Sequence, residues 1–171
     1  MISFLRPSLI LLAASLCLSA TALAETEMRI PKSNVEALGV KKTVETTAAP
    51  KATCESGGQT FCFQNNRFSV QVTWKDFSGT EGVGTVVDQP VSDNSGVFWF
   101  FTDGNWEMLV KVLDGCSFND HFWVFSAATT DVEYTLTVTD TATGQVVTYT
   151  NPLGNAAAAL TDVEALATCT P

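Results

Sequence analysis

One histidine, His121, is all that this chain of 171 residues has to offer to imidazole chemistry. With no Cys-x-x-Cys spacing either, it cannot complete a usual zinc set or a redox pair. A Ser/His/Asp constellation fares no better. Asp120 and His121 are neighbours that point to opposite faces of a strand, so the carboxylate cannot orient the ring, and no Gly-x-Ser-x-Gly elbow is present. His121 reads as a structural or exposed residue. The dinucleotide fingerprint is missing as well, because Gly82-Val83-Gly84 is followed by Val87 where a third glycine belongs. There is no EF-hand or nonapeptide pattern. Asp93 to Gly96 and Asp114 to Asp120 are oxygen-rich turns, for which ordinary turn usage is favoured over a structural calcium. The expectation is a protein with no cofactor and no metal, and not an enzyme.

Positive charge is scarce too. The whole chain has 9 lysines and arginines against 18 acidic residues, and from residue 61 onward the only basic side chains are Arg67, Lys75 and Lys111. A surface this acidic repels phosphate backbones and anionic headgroups, so no nucleic acid and no anionic membrane is expected as partner. After the first 24 residues no apolar run approaches the roughly 18 residues of a membrane-spanning helix.

Residues 1–24 read as a signal peptide. Arg6 supplies the positive start, Leu9 to Ala20 the apolar stretch, and Ala22-Leu23-Ala24 a small-x-small cleavage site. Cys17 follows Leu16 rather than the small residue of a lipobox, so lipidation is not expected. The exported chain, secreted or periplasmic, keeps Cys54, Cys62, Cys116 and Cys169, which suit two disulfides in an oxidising compartment. Sequence leaves three pairings open. The preferred one is Cys62 with Cys116 and Cys54 with Cys169, which would clip both ends onto the core.

Residues 25–60 are expected to form a flexible N-terminal arm and linker. Ser33 to Glu36 has capping-box spacing for one helical turn through Leu38, and Lys41 to Thr53 is Thr/Ala/Pro/Lys-rich without hydrophobic period. From residue 61 to 171 short apolar runs alternate with Asp/Gly/Asn turns. Phe68, Val70, Val72 and Trp74 alternate with polar neighbours, and Gly82 to Val87 forms a shorter run. Val97 to Phe101 is apolar on both faces, as in a strand covered from both sides. Trp106 to Leu113, His121 to Ser126, Asp131 to Asp140 and Gln145 to Thr150 complete the series. About seven strands at this spacing predict an all-β, antiparallel β-sandwich. Thr161 to Glu164 repeats the capping-box spacing and predicts a short C-terminal helix.

Two groups of residues remain as candidates for chemistry. Asp103, Glu107, Asp114 and Asp120 are the carboxylates nearest the aromatic window, and a glycosidase needs two of them about 5–10 Å apart. Three occupy turns, and Glu107 reads as the partner of Lys111 in a sheet-edge charge pair. The aromatics carry the better hypothesis. Gly96 to Phe125 contains three of the four tryptophans and six of the eleven phenylalanines. Trp99, Trp106 and Trp123 on adjacent strands could form a flat stacking platform for sugar rings, but the plainer reading of a thick aromatic core is favoured over it.

Phe98-Trp99-Phe100-Phe101, Asn105-Trp106-Glu107, Val110 through Cys116, Phe122-Trp123-Val124-Phe125, Thr130 to Tyr134, Thr137 to Thr141 and Thr143-Gly144 together resemble a module of uncharacterised function that recurs in exported bacterial proteins. The resemblance covers residues 61–169, with Asn66-Arg67-Phe68 and Trp74 fitting its opening strand. It implies a secreted bacterial origin and an accessory, non-catalytic role, and it brings no active-site residues. The combined expectation is a secreted binding or interaction module, with an extracellular glycan or a protein as partner. The alternative is a small exported inhibitor of a protease or hydrolase that presents Asp114–Asp120 or Asp88–Gly96.

Overall fold

The computed structural model describes residues 31–47, 53–88 and 92–169. The expected signal peptide, parts of the arm and part of the Asp88–Gly96 loop lie outside them. Two antiparallel sheets face each other. The six-stranded sheet contains β1 (Lys41–Thr46), β2 (Phe61–Phe63), β3 (Phe68–Lys75), β4 (Glu81–Val83), β9 (Glu133–Asp140) and β10 (Gln145–Asn151). Its order is β1-β10-β9-β3-β2, with β4 also pairing β3. The five-stranded sheet contains β5 (Thr85–Val86), β6 (Ser95–Trp99), β7 (Trp106–Asp114), β8 (Phe122–Ala128) and β11 (Leu160–Leu166), in the order β11-β8-β7-β6-β5. The all-β antiparallel sandwich is therefore as expected.

The core between the sheets follows from the period-two pattern of the strands. Phe68, Val70 and Val72 of β3, Leu136 and Val138 of β9, and Val147 and Tyr149 of β10 meet Phe98, Met108, Val110, Val112, Phe122 and Val124 from the other sheet, all buried. Glycine decides where the chain changes sheets. A Cβ on Gly84 would sit 2.3 Å from Val72 Cγ1. The run from Gly82 to Val87 is thus not one strand but β4 and β5, in different sheets, with the corner at a residue that has no side chain to clash.

Four other expectations are corrected. Lys41–Thr46, placed in a solvated linker, pairs along its whole length with β10, from Lys41↔Thr150 to Thr46↔Gln145. Its short period was masked by Thr and Lys, but at a sheet edge the inward Lys42 and Val44 need only partial cover. The capping-box segment Thr161 to Glu164 is strand β11, not a helix. Leu160, Val163, Ala165 and Leu166 bury their side chains there, and the only α-helical turn among the described residues is α1 (Cys116–Asn119). Tertiary pairing with β8 overrides the local signal. The disulfides are Cys54–Cys62 and Cys116–Cys169. The backbone N–H of Cys54 bonds Asn66 O at 3.2 Å, which folds the preceding segment over the β2–β3 hairpin and brings Cys54 to Cys62. β11 runs out beside the start of β8, Leu166 opposite Phe122, and so delivers Cys169 to α1. Finally, β6 is covered on one face only: Phe98 is buried while Val97 and Trp99 lie on the outer side.

The N-terminal segment also protects an edge. Asn34 N–H donates to Thr161 O at 2.9 Å, Asn34 Oδ1 accepts from Thr161 N at 2.7 Å, and Ser33 Oγ accepts from Val163 N at 3.1 Å. The free side of β11 is occupied by these groups instead of standing open to another chain. The expected turn is present, as a 3-10 turn over Glu36–Leu38.

Candidate functional site

The outer face of the five-stranded sheet gathers the aromatic candidates. Trp99 is opposite Trp106, Val97 opposite Leu109, Leu109 opposite Ala127, Lys111 opposite Phe125, and Leu113 opposite Trp123. Partners across an antiparallel ladder share a face. All three tryptophans therefore project away from the core, and none belongs to the buried cluster. The thick-core reading holds for Phe98, Phe100 and Phe122 but not for them. Trp106 is 56% exposed, Leu109 44% and Phe118 45%.

They do not, however, make one continuous platform. Trp99, at the end of β6, faces Trp106 at the start of β7, while Trp123 is opposite Leu113 near the end of β7, roughly 23 Å further along. Trp123 instead belongs to a second group that sequence reasoning only half identified. Its ring lies 6.1 Å from Phe125, stacked, and 5.5 Å from Phe118, tilted. Its indole Nε1–H donates to Asn119 Oδ1 at 2.8 Å. Gly115 lies beneath it, where a Cβ would come within 2.1 Å of the same nitrogen. α1, fixed by Cys116–Cys169, thus seats the tryptophan in one orientation. At the other end Trp106 Nε1–H donates to Asp103 O at 3.1 Å. Between the two groups lies a shallow groove of about 190 Å³ lined by Leu109, Lys111, Phe125, Ala127 and Thr161. Phe125 was legible as a same-face neighbour of Trp123. Phe118 carried no signal, because it stands in a turn.

The opposite outer face is built differently. Thr150, Thr135 and Thr73 form one cross-strand row, and Thr43, Thr148, Thr137 and Gln71 the next. The hydroxyls partly satisfy one another, Thr43 with Thr148 at 2.5 Å and Thr135 with Thr150 at 3.0 Å. The apolar side chains on this face are valines, Val83 opposite Thr73 and Val146 opposite Thr139, with no aromatic among them.

The carboxylates named from sequence are not brought together as a catalytic pair. Asp103 and Glu107 are at the start of β7, Asp114 and Asp120 beyond its end. Asp114 Oδ1 accepts the Cys116 N–H at 2.9 Å, and Asp120 ends α1 in the left-handed conformation. Nor do Glu107 and Lys111 pair. The register slips between Phe98↔Met108 and Trp99↔Trp106, so Glu107 is the extra residue of a bulge. That turns its side chain away from the outer face. It is buried, accepts the Phe100 N–H at 2.5 Å and is hydrogen-bonded by Asn105 Nδ2. Burial raises its pKa, against the pull of these donors. His121 is half-buried, with Nδ1–H donating to Asn119 O at 2.6 Å, a structural bond.

Two further buried acids brace the sandwich. Asp140 accepts Arg67 Nε at 3.2 Å and Nη2 at 2.8 Å, and Arg67 also reaches Thr168 O while its guanidinium lies 4.6 Å from the Phe122 ring centre. Burial works against ionisation of Asp140, but Arg67 and the other donors outweigh it and hold its pKa below the ordinary value. Asp162 accepts from Tyr149 OH at 2.7 Å and pairs with Lys42 Nζ at 2.6 Å. Burial, then Asp162, pushes the Tyr149 hydroxyl well up. Among the described residues no group of three or more His, Cys, Asp or Glu side chains converges on a metal-sized site. Compared with known protein families, with curated proteins and with solved structures, the chain matches none.

Proposed function

We propose that this is an exported, non-catalytic binding module that holds a glycan chain on the outer face of its five-stranded sheet. The observation that carries the reading is the projection of Trp99, Trp106 and Trp123 from one face that is apolar apart from a few positions and lies outside the core. Exposed apolar surface of this kind marks an interaction site, and the rings of Trp106 and Trp123, with their N–H groups already occupied, present flat stacking surfaces at little entropic cost. The separation of the two aromatic groups favours a polymer that spans both over a small sugar held at one. Two disulfides and the signal peptide agree with a secreted or periplasmic address.

The test is retention of the exported chain, residues 25–171, on a panel of cell-wall and extracellular polysaccharides. Retention that is lost in Trp99→Ala and in Trp123→Ala, with melting temperature and circular dichroism of folded protein preserved, supports the reading. Failure to bind any member overturns it. A second reading, an exported enzyme inhibitor, is favoured by the Asp114–Asp120 loop, which is closed by Cys116–Cys169 and displays Phe118. Inhibition of a protease or hydrolase that is abolished by Phe118→Ala and untouched by Trp99→Ala would select it.

A further inference from the structure

We infer that the glycan held on this face is an acidic one, a neutral-backbone polysaccharide bearing uronate groups, and that Lys111 takes the carboxylate; this rests on the glycan reading above. β1 brings Lys41 and Lys42 to the edge of the other sheet, and from residue 61 onward the chain has three basic residues. Two are committed: Arg67 to Asp140 at 2.8 Å and Lys75 to Glu81 at 2.9 Å. Lys111 Nζ makes no ion pair or hydrogen bond with any described residue. The one acid that sequence spacing assigns to it, Glu107, is withdrawn into the protein by the β7 bulge.

Its position gives that free ammonium a use. Lys111 is on β7 between Leu109 and Leu113, across from Phe125 on one side and Ser95 on the other, and so lies between the two aromatic groups. Its stem lines the groove beside Phe125. The cross-strand positions around it, Val97, Trp99, Leu109, Leu113, Trp123, Phe125 and Ala127, contain no carboxylate. On a strongly acidic protein this face is thus locally positive at one point, where a single negative group finds complementarity. Densely charged polymers are met by the acidic remainder of the surface, which at physiological ionic strength acts over about 8 Å. Isolated carboxylates among neutral sugars satisfy both constraints: rings for the aromatics, one anion for Lys111.

The experiment compares glucuronoxylan with the same polymer after its carboxyl groups have been reduced to alcohols, using the exported chain, the Lys111→Gln variant and the Trp123→Ala variant. The native protein is expected to bind the acidic polymer about fivefold more tightly, as suits one exposed charge pair. The preference should vanish in Lys111→Gln while binding to the reduced polymer persists, and should shrink with added salt. Equal affinity for the two polymers, or a preference that survives Lys111→Gln, overturns the inference and leaves the glycan reading intact. Absence of Trp123-dependent binding to either polymer and to the wider panel overturns both.

Discussion

The two outer faces of this sandwich lie on sheets of similar size and yet could hardly differ more. The six-stranded sheet shows solvent a grid of threonines whose β-branched stems suit a strand and whose hydroxyls bond to one another. The five-stranded sheet shows Trp99, Trp106, Trp123, Phe125, Leu109 and Val97, interrupted by Lys111. Either solution closes the same core, so core formation does not explain the second. Keeping so much apolar surface wet invites association, and a protein that needed only to fold could have used threonine on both sides. The asymmetry is the reason to place recognition on the aromatic side. It also locates the rigid support, since Gly115, Asn119 and Cys116–Cys169 all brace Trp123.

Breaking the braces separates the faces most strongly. Cys116–Cys169 closes a separation of 53 residues and Cys54–Cys62 one of 8. Paired replacement by alanine should cost about 4 kcal/mol for the first and about 2.5 kcal/mol for the second in the chain-entropy account. Urea titration measures both, and glycan retention should fall only with the first, which supports the aromatic face. Next in size, Arg67→Gln should lose about 3 kcal/mol, because it leaves Asp140 charged and buried without its partner. The native Asp140 contribution, from a pKa held low in the folded state, is present above the ordinary carboxylate range and lost as pH falls through the folded value. The acid limb of melting temperature against pH should therefore flatten in that variant.

Gly115→Ala should cost about 1–3 kcal/mol and weaken retention as Trp123→Ala does, since the new methyl group takes the place of the indole. A Gly115→Ala protein that binds normally would show that Trp123 is not held for binding. Glu107 titrates with the opposite sign to Asp140. Its folded pKa is raised, so its favourable contribution is present below the unfolded value and is lost as pH rises through the folded one. Glu107→Gln should remove that loss and raise the melting temperature slightly at neutral pH relative to acid. Smallest of all, Thr137→Val on the threonine face should change stability by less than about 0.5 kcal/mol and leave retention unchanged. A loss of binding there would move the site to the other sheet.

Much of the architecture was legible in short stretches. The alternation of Phe68 to Trp74 and of Val132 to Val138 placed β3 and β9 with the correct faces inward. Elements at the edges were not legible. β1 looked like linker because an edge strand buries little, and β11 looked like a helix start because Thr161 to Glu164 has capping-box spacing, whereas Asp162 within it is a buried acceptor for Tyr149 and Lys42. Sequence placed the three tryptophans on adjacent strands, but not their separation into two groups along those strands. Face and strand can be counted from alternation, whereas position along the strands depends on register, and register is set by turns and bulges elsewhere.

What the sequence by itself determined, then, is the all-β class, the inward and outward residues of β3 and β9, and the presence of two disulfides. Local period and composition are sufficient causes for those. Tertiary structure alone decided which cysteines meet and which tryptophan joins Phe118 and Phe125. It also decided that Glu107 turns inward and leaves Lys111 unpaired. Each of these depends on one residue of register, the Trp106–Glu107 bulge or the meeting of β11 with β8, and a shift of one residue in a strand exchanges its two faces.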